Sequence, residues 1–180
     1  MNTNYLEKMI IGHLQGFAQK IRVNSRISFS FGQQHKEYAH WIQMKFQDLC
    51  WKPVYEVKSR AKDKTYTNYR LKTKTLPIFQ KYHDIFYTWT TDTRLNKKYF
   101  RKVIPLEIKN MICSIVLANL IIGDGNHNED VNKNPEFLFS IRIYTLSYTY
   151  EECVYLRDSI QSNCNIICEV NFFWYFWTRT

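Results

Sequence analysis

A chain of 180 residues has room for one good core or two small subdomains and none for a large multidomain enzyme. Its 45% apolar and 17% aromatic content, with only 5 Gly and 4 Pro, excludes disordered, collagen-like and low-complexity classes. The 25 Lys and Arg against 16 Asp and Glu give a charge of +9, spread as +3 over residues 1–51, +10 over 52–102 and −4 over 103–180, which implies a folded basic domain with one surface turned to a polyanion.

Leu6, Met9, Ile10, His13 and Leu14 recur at helical spacing and predict a first helix. Residues 21–31 then alternate, with Val23, Ile27, Phe29 and Phe31 on odd positions and Arg22, Asn24, Arg26, Ser28 and Ser30 on even ones. That is a strand with one buried and one polar face. A helix over 35–49 carries Tyr38, Trp41, Ile42 and Phe46 on one side. The strand phase returns over 52–60, with Pro53, Tyr55 and Val57 odd against Lys52, Lys58 and Arg60 even. It returns again over 66–74, with Tyr69 and Leu71 odd against Asn68, Arg70, Lys72 and Lys74 even. The strands are expected to share one cationic, hydrogen-bonding face, in which cations hold phosphates while amides and guanidinia reach base edges or sugar hydroxyls. Pro77 opens a helix bearing Ile78, Phe79, Tyr82, Ile85 and Phe86.

Beyond Pro105, a boundary, a short helix over 106–111 leads into an apolar helix over 114–122. The apolar runs 115–122 and 172–177 fall short of the roughly 18 residues that span a bilayer, so no membrane partner is expected. Residues 1–20 lack the features of a secretory signal or transit peptide. Five scattered cysteines without C-x2-C pairs read as reduced core thiols. No Walker loop, dinucleotide fingerprint, nucleophile elbow or HExxH occurs.

The chain then repeats itself. Leu14-Gln15-Gly16-Phe17-Ala18 and Ile121-Ile122-Gly123-Asp124-Gly125 lie 107 positions apart, each closing an apolar helix. A strand (22–31 against 137–144), a helix (35–49 against 148–162) and a strand ending in Glu-Val (54–57 against 167–170) follow in the same order.

The segments LEKMIIGHLQG (6–16), LPIFQKYHDIF (76–86), VIPLE (103–107) and LANLIIGDGNH (117–127) resemble the LAGLIDADG homing endonucleases and their intron-maturase relatives, in the two-motif, single-chain form, over about residues 4–170. The resemblance implies an α+β fold of two pseudo-symmetric αββα(ββα) homing-endonuclease-like repeats: residues 1–105 with a basic antiparallel sheet, and a truncated second repeat, 106–180. It also implies two motif helices side by side, with Gly12, Gly16, Ala118 and Gly123 letting the backbones approach. In the family each helix ends in an acid, and the two carboxylates hold divalent metals at the scissile phosphates.

Asp124 stands at the second acid's position and Phe17 at the first. A phenyl ring cannot ligate a metal, and neither Gln15 nor Gln19 supplies the charge that Mg²⁺ prefers. Asp124 is therefore expected to be a vestigial catalytic and metal position, with no cofactor required and Mg²⁺ serving only a residual endonuclease activity. The expected function is non-catalytic binding of structured RNA, either organellar ribosomal RNA as a ribosomal component or a group I intron as a maturase, in preference to duplex DNA. The expected contacts are Lys20, Arg22, Asn24, Arg26, Lys58, Arg60, Arg70, Lys72 and Lys74. The alternative is a metal-dependent DNA endonuclease or nickase using Asp124, alone or between two chains; a decayed reading frame with no selected partner is a third. The aromatic run 172–177 reads either as an internal strand or as a patch covered by a larger ribonucleoprotein. An abundance of Lys, Asn, Ile, Tyr and Phe, all A/T-rich in codon, places the expected gene and protein in a mitochondrion or other organelle.

Overall fold

A computed structural model describes residues 3–15, 26–61, 63–92, 96–127, 141–145 and 147–171. Helix α1 (Thr3–Gln15) is followed by β1 (Ser28–Gly32), α2 (Lys36–Lys45), the hairpin β2 (Tyr55–Ala61) and β3 (Lys64–Lys72), and α3 (Ile78–Phe86). A second hairpin, β4 (Tyr87–Asp92) and β5 (Lys97–Lys102), leads to α4 (Ile108–Met111) and α5 (Ser114–Asp124). The short pair β6 (Gly125–His127) and β7 (Ile141–Ile143) precedes α6 (Tyr150–Cys164). The strands pair antiparallel throughout, as a three-stranded sheet of order β1-β3-β2 and two hairpins, β4-β5 and β6-β7.

The core lies on one side of the three-stranded sheet. Phe29 and Phe31 of β1 and Leu71 of β3 are almost fully buried and face Ala39, Ile42 and Phe46 from α2 and its end. Phe29 meets Phe46 edge-on at 5.6 Å between ring centres. Each such side chain contributes on the order of 1.5–3 kcal/mol by leaving water. The intervening Ser28 and Ser30 are half-buried, as the alternation predicts. On α3, Phe79, Tyr82, His83 and Phe86 fall at helical spacing and are all buried.

The two motif helices α1 and α5 pack directly on one another. A Cβ at Gly12 would stand 2.6 Å from Asn119 Cβ and 2.7 Å from the Val116 carbonyl oxygen, so glycine is what permits this approach. Ala118, expected at this interface, is exposed on the far side of α5. A polar chain crosses the same junction. His13, fully buried, donates from Nδ1 to the Met9 carbonyl at 2.7 Å. Its Nε2 lies 3.0 Å from the Tyr38 hydroxyl, which donates to Asn119 Oδ1 at 2.8 Å, and Asn119 Nδ2 donates to the Ile115 carbonyl at 2.7 Å. Three helices are thereby tied by groups that could not otherwise be buried.

Two features differ from the sequence expectation. The hairpin over 87–102 is not anticipated by the reading of that stretch, although Tyr87, Trp89, Phe100 and Lys102 alternate and Asn96 adopts the left-handed conformation (φ 46°) at its turn. The strand expected over 167–170 is not formed: residues 165–171 have no regular structure, beginning with Asn165, which closes α6 at φ 53°. The run 172–177 lies outside the described residues. All five cysteines are free thiols, with Cys153 buried and the others half-buried. Among the described residues no helix is long and apolar enough to cross a membrane.

Candidate nucleic-acid interface and motif site

Register decides which side chains share a face of the sheet. Ser28 pairs with Lys72, Ser30 with Arg70 and Gly32 with Asn68, so the even positions of β1 and β3 form the side opposite the core. Arg26, half-buried at the head of β1, continues this alternation. Asn68 Nδ2 donates to Ser59 Oγ at 3.1 Å across the same side. Arg70 is half-buried, and its Nε is a buried donor without a hydrogen-bond partner in the protein. Serines, an asparagine, a lysine and a guanidinium donor therefore converge on one surface, which is the set needed to hold phosphates and reach sugar or base edges.

Lys58 and Arg60 do not belong to it. In the β2–β3 hairpin Tyr55 pairs with Arg70, Val57 with Asn68 and Ser59 with Tyr66, so the odd positions of β2 join the even positions of β3. Lys58, opposite Thr67, and Arg60, opposite Thr65, thus share the parity of the core side of the sheet, and both are exposed. Reading each strand by its own parity missed this, because a one-residue change of register moves a strand's entire set to the other face. Tyr55, brought to the polar side instead, is covered by Lys52, whose Nζ stands 3.5 Å from its ring centre. Lys74 lies beyond β3 and donates from Nζ to the Asp48 carbonyl at 2.9 Å, which ties the segment after α2 to the sheet. Lys20, Arg22, Asn24 and Phe17 lie outside the described residues.

Asp124 is the last residue of α5, where the helix passes directly into β6. Its carbonyl accepts from Tyr144 N at 2.9 Å, and Gly125 is needed next because a Cβ there would collide with the Ile121 carbonyl. Burial raises the Asp124 carboxyl above its ordinary value, while the charge of Lys102 acts to lower it. Burial likewise brings Lys102 down to about 8, with Asp124 pulling the other way. Tyr148 completes the cluster. Its hydroxyl is buried without a hydrogen-bond partner, burial and the Asp124 charge raise its pKa, and Lys102 Nζ lies 5.9 Å from its ring centre.

Lys102 and Tyr148 were not found by reading the sequence; the signal for Lys102 was the alternation of the unread hairpin. Among the described residues no group of three or more His, Cys, Asp or Glu is placed to hold a metal ion. Asp124 offers one half-buried carboxylate where a hard dication takes six or more oxygens, and the end of the other motif helix lies outside the described residues.

The hairpin β4–β5 is held to α6 by one acid. Glu152 accepts from Arg101 Nη1 at 2.7 Å and Nη2 at 3.1 Å, and from the backbone N–H groups of Thr149 at 2.7 Å and Ile104 at 3.3 Å. Thr149 in turn caps α6 by accepting from Glu152 N, a capping box. Arg101 is thus committed to the fold and is no free cation for a ligand.

Residues 8–173 match the model of the LAGLIDADG DNA endonuclease family. Among solved structures, the chain is similar to the homing endonuclease I-WcaI bound to its DNA recognition sequence, with a TM-score of 0.75 at 20% identity over 95% of this chain and 72% of that one. No match was found among curated proteins.

Proposed function

The chain belongs to the LAGLIDADG DNA endonuclease family, and from that premise we propose that it binds a structured RNA of its organelle without cutting it. The observation that carries the binding role is the polar side of the β1-β3-β2 sheet, where Ser28, Ser30, Asn68, Arg70 and Lys72 stand together. The solved neighbour is bound to DNA, which supports nucleic acid as the partner class. Phe17 at the first acid's position supports binding over cleavage. The basic middle third against an acidic final third favours a one-sided grip on a folded RNA over a symmetric wrap of a DNA duplex. The A/T-codon-rich composition favours the organellar setting, with ribosomal RNA or a group I intron as target.

Sequencing the nucleic acid that copurifies with the native protein, after mild nuclease trimming, tests this reading. Enrichment of one ribosomal RNA or intron region is the expected result. Recovery of a unique DNA site, together with plasmid nicking that Asp124→Asn abolishes, would overturn it in favour of a nickase.

A further inference from the structure

The hairpin β4–β5 carries a feature the sheet face does not explain. Trp89 pairs with Phe100, and Thr91 with Lys98, on one of its two sides. The Trp89 ring lies 3.8 Å from that of Phe100, tilted by 31°, yet Trp89 remains 61% exposed. With one ring face against Phe100, that exposure leaves the other to solvent. The platform is rigidly founded: the Phe100 and buried His83 rings meet T-shaped at 4.5 Å between centres, and His83 stacks on Tyr87 at 5.3 Å. An open indole on a rigid support suits stacking by another planar ring, at little ordering cost. Its setting says which kind. Lys98 stands exposed on the indole's own side, whereas Arg101 faces the other way and is engaged by Glu152. Proceeding inward on that side, Lys102 reaches Asp124 and Tyr148.

We propose that this side of the hairpin takes an unpaired nucleotide of the bound nucleic acid, its base stacked on Trp89 and a flanking phosphate held by Lys98. The site rests on the nucleic-acid-binding reading above and adds to it a preference for strands with an unpaired base.

The test uses the full chain with two probes: a single-stranded RNA containing 2-aminopurine, and a fully paired duplex. Trp89→Ala is expected to weaken the single strand by roughly 5- to 150-fold and to leave the duplex unchanged, with Trp89→Phe between them. Wild-type protein should quench the 2-aminopurine on binding, and Trp89→Ala should not. A Trp89→Ala chain that binds and quenches the single strand like wild type, or a wild type without affinity for it, overturns the stacking site. Arg70→Glu with Lys72→Glu separates this from the broader reading. Weakened binding there with none in Trp89→Ala removes only the stacking site; unchanged binding there removes the sheet interface instead.

Discussion

Replacing Glu152 with alanine is expected to destabilise the fold by about 3–5 kcal/mol. The side chain is 15% exposed and its partner Arg101 28%, so the pair is screened far less than a surface bridge. One carboxylate satisfies both guanidinium nitrogens and the N–H groups of Thr149 and Ile104. Truncation therefore leaves a partly buried cation and two backbone donors without their acceptor, and it opens the α6 capping box. In a chain of this length the loss corresponds to a fall in Tm of about 10 °C. Urea denaturation of Glu152→Ala and of the near-isosteric Glu152→Gln measures it, with Gln retaining part of the stability. A loss under about 1 kcal/mol for the alanine variant would mean that the bridge behaves as a solvated one.

Acid is expected to act first at a different place. Burial brings His13 down to about 4 from an ordinary value of 6.5, partly opposed by its bond to the Met9 carbonyl. Between these values the unfolded chain binds a proton that the folded chain does not, so stability rises with pH there and falls on acidification. The contribution of a neutral His13 is complete above about pH 6.5, and roughly 3 kcal/mol of it is lost on the way down to about pH 4. His13→Gln removes that slope and leaves the acid limb below it. That lower limb belongs in part to Glu152. Burial alone would raise its carboxyl, but the Arg101 bonds and the backbone N–H groups outweigh it, so the net shift is downward and its stabilisation is lost only as pH falls below the ordinary carboxylate range. Unfolding free energies of wild type and His13→Gln across this range check the assignment; identical slopes would contradict it.

Much of the architecture was legible from period alone. The motif helices, β1, α2, β3 and α3 all appear where spacing places them, because each buries one side in a core of Phe, Ile and Leu. The polar face was legible within β1 and β3 for the same reason. What could not be read was the relation between strands: the parity of Lys58 and Arg60 is that of Arg70 and Lys72, but pairing across the hairpin puts them on opposite sides. Register is a long-range fact that single-strand alternation does not hold. The neighbourhood of Asp124 was illegible for a similar reason. Lys102 and Tyr148 lie 22 and 24 positions from it, and only tertiary folding gathers them.

The salt dependence of binding, compared between two charge-reversal pairs, tests the central claim most directly. With a fluorescein-labelled RNA hairpin titrated at increasing KCl, Arg70→Glu with Lys72→Glu should weaken binding and flatten the logarithmic slope by roughly one unit per lost phosphate contact, about two in all. Lys58→Glu with Arg60→Glu, on the other side of the sheet, should leave that slope nearly as in wild type. Equal effects from the two pairs, or none from the first, would contradict an interface on the polar side of β1-β3-β2.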